Sequence, residues 1–484
     1  MKKKGLMLVF VLAVLCGCQT PSTQIEKTSI ENNKPSENKV ENKSNQNTIN
    51  PPSPVSGKKA FFSGPTRVPA NLPANELFPK GQLLPFGFYS FGGGSDNKRG
   101  ELLTEEQRHA DQDYITKNGC ITLIGPAYEL NDCVIADAKR SGLKCAYTMH
   151  SIGKEKFLVD GYNLGSKDGI AQMLKEKGEP NWEGIRAEIA NIMKAVGNSP
   201  EIAVWNLVPE EVRPWKKQEI AILKFVAKTV RELDPLKRPC ALYLPNHYGA
   251  GTMKNFFPPL DISWRGMYVN YAGKKDKRIW ARWCIEQQLV AIKDQPGAVC
   301  WGLPEMFKNP KDPADVKNIP TWVRHDVYVA LAAGAKGILI FSGSRRSNFA
   351  ENRKIYLDAY LQVSKELNGP KALAQIYMFG EPRSDLTLSI TEGPESIHFN
   401  NQKTELDASP LCMSNMAWKN ARYLTIVNSC DQQVTAMLDG LPYGSEVGIE
   451  DVMAEKPSFM VVPEGNTELV FKPWEVKILK VYCK

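Results

Sequence analysis

Histidine is scarce, five in 484 residues, and no Cys-x-x-Cys or Cys/His pair stands at metal-ligand spacing. A zinc site is therefore not expected. A metal-dependent barrel hydrolase would need His-x-His after its first strand and more His later, and only His150 and His247 fall near strand ends. Long apolar runs are also missing. The one at the N-terminus, Leu6 to Leu15, is too short to span a bilayer, which excludes a multi-pass membrane protein. No arginine-rich tract or finger spacing is present. The formal charge of +8 is unevenly placed: residues 1–60 hold nine Lys and four Glu, leaving only +3 on the other 424 residues. A nucleic-acid binder concentrates basic charge on its folded part, so no nucleic-acid partner is expected. What is present is apolar residue in ordinary amount, 42%, which excludes a wholly disordered chain.

Lys2, Lys3 and Lys4 precede the apolar run, the pattern of a signal peptide. The run ends Leu15-Cys16-Gly17-Cys18. A small residue directly before a cysteine, with Leu three before it, resembles the lipobox of bacterial lipoproteins. That resemblance implies that residues 1–18 are leader and lipobox, and that Cys18 is diacylated and becomes the mature N-terminus. A plain secretory peptide is the alternative. Gln19 stands where an Asp would resemble an inner-membrane retention signal. The expected location is the bacterial cell envelope, lipid-anchored, at the outer membrane or cell surface. Residues 19–60 are rich in Asn, Ser, Lys, Thr and Pro and are expected to form a disordered tether.

Of eleven cysteines, removing Cys16 and lipidating Cys18 leaves nine, an odd number. Cys120, Cys145, Cys240 and Cys300 sit inside apolar runs and read as buried free thiols.

From about Leu83 short apolar runs alternate with segments of helical period. Eight runs stand out: Pro85–Ser90, Cys120–Gly125, Leu143–Met149, Ile202–Leu207, Cys240–Leu244, Ile262–Val269, Ala298–Gly302 and Gly337–Ser342. Helical stretches such as Trp182–Val196 and Lys217–Leu233 lie between them. The fold class expected is α/β, a (β/α)8 TIM barrel over about residues 80–375. A doubly wound sheet would want a phosphate-binding glycine loop; Phe91-Gly92-Gly93-Gly94-Ser95 lacks the spacing. After about Gly380 short alternating runs separated by turn residues predict a small antiparallel β-sandwich over residues 380–484.

Barrel function gathers where strands end. Trp205-Asn206-Leu207-Val208-Pro209-Glu210-Glu211 follows strand four, and Trp301-Gly302-Leu303-Pro304-Glu305 follows strand seven. Carboxylates at these two places resemble the clan of retaining barrel glycosidases, and the strand-four run looks like their Trp-x-x-x-Asp/Asn-Glu-Pro. The resemblance implies Glu210 as acid/base and Glu305 as nucleophile, since an acetal needs a proton for its leaving oxygen and a partner for the oxocarbenium-like centre. Pro209 replaces the usual Asn or Asp and Glu211 the usual Pro; Glu211 is the alternative acid/base. Candidate sugar contacts are Tyr89, His150, Trp205, Asn206, Glu211, Asn246, His247, Tyr268 and Trp301, the aromatics for stacking on apolar sugar faces. Arg345 and Arg346 read as a solvated pair that could hold an acidic sugar. The expected partners are an oligo- or polysaccharide and the lipid bilayer, with no cofactor and no metal. The competing reading is a non-catalytic glycan-binding lipoprotein on a degenerate barrel.

Overall fold

A computed structural model describes residues 58–89, 91, 103–126, 131–149, 156–209, 212–274, 277–400, 405–443, 447–454, 459–462 and 465–483. Cys18, the leader, nearly all of the tether, His150, Glu210 and Glu211 lie outside these residues.

Eight parallel strands close into a barrel. They are β1 Phe86–Tyr89, β2 Leu123–Ile124, β3 Lys144–Thr148, β4 Ile202–Asn206, β5 Cys240–Leu244, β6 Ile262–Gly266, β7 Val299–Leu303 and β8 Ile338–Phe341. Each falls on one of the eight apolar runs read in the sequence, and β1 pairs with both β2 and β8 to close the ring. The helices packed around it include α1 Glu105–Asn118, α2 Asn131–Ser141, α3 Trp182–Val196, α4 Lys217–Leu233, α5 Ile279–Ile292, α6 Ile319–Ala333 and α7 Ala350–Asn368, with a further helix, Lys167–Lys177, ahead of α3. Between β5 and β6 there are only the short turns Ala250–Met253 and Lys254–Phe256.

Because the strands are covered on both faces, nearly every residue in them is apolar. Alternation still sorts the faces. On β7, Trp301 and Leu303 join Trp264, Leu339 and Ala241 in a core separate from the main one, filling the barrel's interior. The Trp264 and Trp301 rings stack at 6.5 Å between centroids. Room for Trp301 comes from Gly337, where a Cβ would sit 2.9 Å from the indole. The opposite face of the strands packs on the helices, and Cys145, Cys240 and Cys300 are fully buried there as free thiols. Burial pushes each of these thiols up to about 12, so they serve as small hydrophobes.

The C-terminal region is β-only after the short helix Ala374–Phe379. A six-stranded and a three-stranded antiparallel sheet carry it, with a separate hairpin Ile397–Asn400/Glu405–Ala408. The sheets meet the barrel along α6. Arg324 Nη1 donates to the Val476 carbonyl at 2.9 Å, and His325 Nε2 lies 2.9 Å from Ser429 Oγ.

Candidate active site

Glu305 stands two residues beyond β7, where the chain bridges to Phe341 at the end of β8. Its carboxylate is 2% exposed. Oε1 accepts the backbone N–H of Asn270 and Oε2 that of Tyr271, the latter at 2.9 Å. Both donors come from the loop after β6. Tyr360 of α7 donates its hydroxyl to the Glu305 carbonyl at 3.0 Å. Burial raises the carboxyl from 4.5 to about 7; the two amides and the Arg278 charge pull it down, and the Asp326 charge pushes it up. Desolvation wins because two neutral amide donors replace a full hydration shell.

An aromatic rim surrounds this strand end. Tyr268 packs edge-on against Phe307 at 5.2 Å and lies 5.7 Å from Phe341. Tyr271 reaches Phe307 at 5.5 Å and is 63% exposed. Tyr89 meets Phe341 at 5.2 Å, and Tyr243 stacks on Tyr268 at 6.1 Å. The Arg346 guanidinium covers Phe307 at 5.0 Å and Phe341 at 5.6 Å. An aromatic surface with one exposed ring fits the apolar C–H face of a pyranose.

The expected sugar contacts divide. Tyr89 and Tyr268 are in the rim, nearly buried. Asn206 is buried at the end of β4, its Nδ2 3.2 Å from Thr148 Oγ1. His247 is exposed after β5, beside Tyr248 at 4.7 Å. Asn246 is buried, and its carbonyl accepts from Arg265 Nη2 at 3.1 Å. Arg265, fully buried, also donates to the carbonyls of Tyr248 at 2.6 Å and Cys284 at 3.0 Å, so it fixes the loop that carries His247.

Trp205 and Trp301 are not sugar platforms. Trp301 is sealed inside the barrel with 0% exposure. Trp205 points the other way, to the helix layer. Its indole N–H donates to Asp234 Oδ2 at 2.9 Å and Arg238 lies over its ring at 4.5 Å. Asp234 is clamped by Arg238 Nη2 at 2.6 Å. Burial alone would raise the Asp234 carboxyl, but the hydrogen bonds from Arg238 and Trp205 outweigh it and hold it down. Arg345 and Arg346 do not act as a pair either: Arg345 Nη2 binds Asp111 Oδ1 at 2.6 Å, and Arg346 lies on the rim aromatics.

Several residues at the site carry no motif. Phe307 follows Glu305 by two, and Tyr271 closes the loop after β6. A buried ion pair joins Arg278 to Asp326, and His325 Nδ1 donates to Asp326 Oδ1 at 2.9 Å. The available signal was a His-Asp pair in the middle of α6, a helix otherwise apolar in its last turns.

No family model and no curated protein matches the chain. Solved structures do. An alpha-amylase from Geobacillus thermoleovorans, complexed with acarbose, superposes with a TM-score of 0.50 at 10% identity, over 83% of this chain and 98% of that one. AmyP in complex with maltose gives 0.50 at 10% identity, over 82% and 96%. A glycoside hydrolase family 5 protein from Bacteroides vulgatus gives 0.50 at 12% identity, over 84% and 91%. At these identities the likeness is one of fold.

Proposed function

We propose that the chain is a glycoside hydrolase that cleaves an oligo- or polysaccharide with retention, Glu305 acting as nucleophile and Glu210 as acid/base. The observation that carries this reading is Glu305: a dry, oriented carboxyl at the end of β7 in a closed barrel, ringed by aromatics. Both oxygens accept N–H donors, a set suited to an anion. A proton donor would need one oxygen to carry hydrogen toward the leaving group. In the first step the carboxylate attacks the anomeric carbon while Glu210 protonates the departing oxygen. The glycosidic bond breaks and a glycosyl ester forms. Water, deprotonated by Glu210, then cleaves the ester, and two inversions restore the configuration. The two carboxyls should stand about 5–5.5 Å apart. The barrel neighbours include proteins complexed with acarbose or maltose, which supports a saccharide as substrate.

The anchor belongs to the same proposal. Lipid on Cys18, followed by the polar tether, would hold the barrel at a membrane surface facing its glycan.

The test is a panel of soluble glycans assayed for new reducing ends. Wild type should release them from at least one glycan, and Glu305→Gln should not, while still binding that glycan. A second reading, a non-catalytic glycan binder, draws on the 2% exposure of Glu305 and on Pro209. It would be upheld by binding without reducing-end release in wild type.

A further inference from the structure

The hairpin Ile397–Asn400/Glu405–Ala408 belongs to neither of the larger C-terminal sheets, and it lies against the loop after β6. Lys274 Nζ donates to the Asn400 carbonyl at 2.8 Å and to Asn400 Oδ1 at 2.7 Å. Lys277 Nζ donates to the His398 carbonyl at 2.5 Å. His398 and Asn400 are two apart on one strand, so both carbonyls leave the same edge, and the two lysines answer an edge that would otherwise stand unpaired. The Lys274 ammonium also stands 5.5 Å from the centroid of the buried Trp280 ring on α5. The hairpin is itself firmly seated. Ile397 and Phe399 turn into the core. On the other face His398 Nε2 lies 2.8 Å from Glu405 Oε2, and Nδ1 lies 3.1 Å from Asp407 Oδ1. Just beyond the hairpin, Arg282 of α5 donates to the carbonyls of Ser409 and Leu411, both at 3.1 Å.

The other end of the same loop holds Glu305. One hydrogen-bonded turn joins the two ends: the Lys274 amide donates to the Val269 carbonyl at 2.8 Å, Gly273 to Asn270 at 3.0 Å and Ala272 to Tyr268 at 3.2 Å. Gly273 has a φ of 70°, a left-handed position that glycine takes without steric cost. Inside this turn lie Asn270 and Tyr271, whose N–H groups meet the two oxygens of Glu305. Asn270 is also fixed from α7, where its Nδ2 donates to Tyr356 Oη at 3.1 Å. The exposed ring of Tyr271 leaves from the same turn. A surface loop is by default among the looser parts of a fold. This one is pinned at one end by the carboxylate and at the other by two charged donors, which bond more strongly than neutral ones.

We propose that the hairpin is a working part of the active site, and that Lys274 and Lys277 are positioning residues that tie the turn 268–274 to it. The tie keeps the Tyr271 ring and the two amides set around Glu305. A ring mounted on a loop held at both ends gives up less freedom when a ligand stacks on it, so the tie is felt in binding. The effect on a saccharide rests on the hydrolase reading. The tie between hairpin and amides does not, and it is measured without turnover.

The experiment follows amide hydrogen exchange in the full chain by mass spectrometry, comparing wild type with the double variant Lys274→Met, Lys277→Met. Both changes keep the apolar stem and remove the charged donor. Peptides that carry the Asn270 and Tyr271 amides should exchange roughly tenfold faster in the variant, while the barrel strands keep their protection. Lys274→Arg with Lys277→Arg retains both donors and should restore most of the slow exchange. Each single Met substitution leaves one tie in place and should give a smaller rise of the same pattern. On a glycan that wild type cleaves, the double Met variant should raise KM roughly fivefold and leave kcat within about twofold, because the loss falls on binding. Faster exchange confined to the hairpin and to Lys274 and beyond, with Asn270 and Tyr271 as slow as in wild type, overturns the inference. So does an unchanged KM on such a glycan. Faster exchange at Asn270 and Tyr271 in a chain that cleaves no glycan would uphold the tie and remove the hydrolase reading alone.

Discussion

The backbone N–H of Tyr271 donates to Glu305 Oε2 at 2.9 Å, so the exposed ring of the rim and the buried carboxyl share one anchor. A change in the charge of Glu305 is therefore felt by the loop that carries the ring.

The first prediction concerns pH and stability. The folded carboxyl lies near 7 and the unfolded one near 4.5. A raised carboxyl contributes most below the unfolded value, and that contribution is lost as pH climbs through the folded one. Wild type should thus lose stability relative to Glu305→Gln as pH rises from 4.5 to about 7, then level off. The loss is roughly 3 kcal/mol. Melting both proteins across this window checks it; parallel curves would contradict it.

Activity should show the same group. A nucleophile works only when ionised, so kcat/KM should rise through an acidic limb near 7. If Glu305 were the proton donor instead, the limb near 7 would be the alkaline one, and activity would fall there.

Trp205 tests the division between core and site. Trp205→Phe removes the hydrogen bond to Asp234 and part of the contact with Arg238. It should cost about 1–3 kcal/mol of stability, because Asp234 is left buried with one donor fewer. The KM for saccharide should not change. A raised KM with an unaltered melting temperature would return Trp205 to the site.

Tyr271→Ala should do the reverse. The ring is 63% exposed, so stability should hold within about 0.5 kcal/mol. KM should rise roughly tenfold, equivalent to about 1.4 kcal/mol of lost stacking.

Anchoring is tested by feeding cells a labelled fatty acid. Wild type should be marked and Cys18→Ser should not; equal labelling of both would exclude the lipid anchor.

The barrel was legible because its strands are continuous apolar runs between amphipathic helices, and the end of β7 followed from counting those runs. Inside and outside were not legible. A strand buried on both faces offers no polar alternation, so Trp205 and Trp301 looked alike in the sequence, although one meets Asp234 and the other fills the barrel. The contact between α6 and the C-terminal sheets was hidden for another reason: Ser429 lies 104 residues beyond His325, and no local pattern joins them. Glu210, the partner assigned to Glu305, rests on its sequence position after β4.

The most direct test of the account is to trap the intermediate. Wild type is treated with activated fluorinated glycosides matched to the sugar it cleaves, which slow the second step more than the first, and is then digested for mass spectrometry. A glycosyl ester on Glu305 is the expected product. Hydrolysis that proceeds with inversion, or an ester on any other residue, would contradict it.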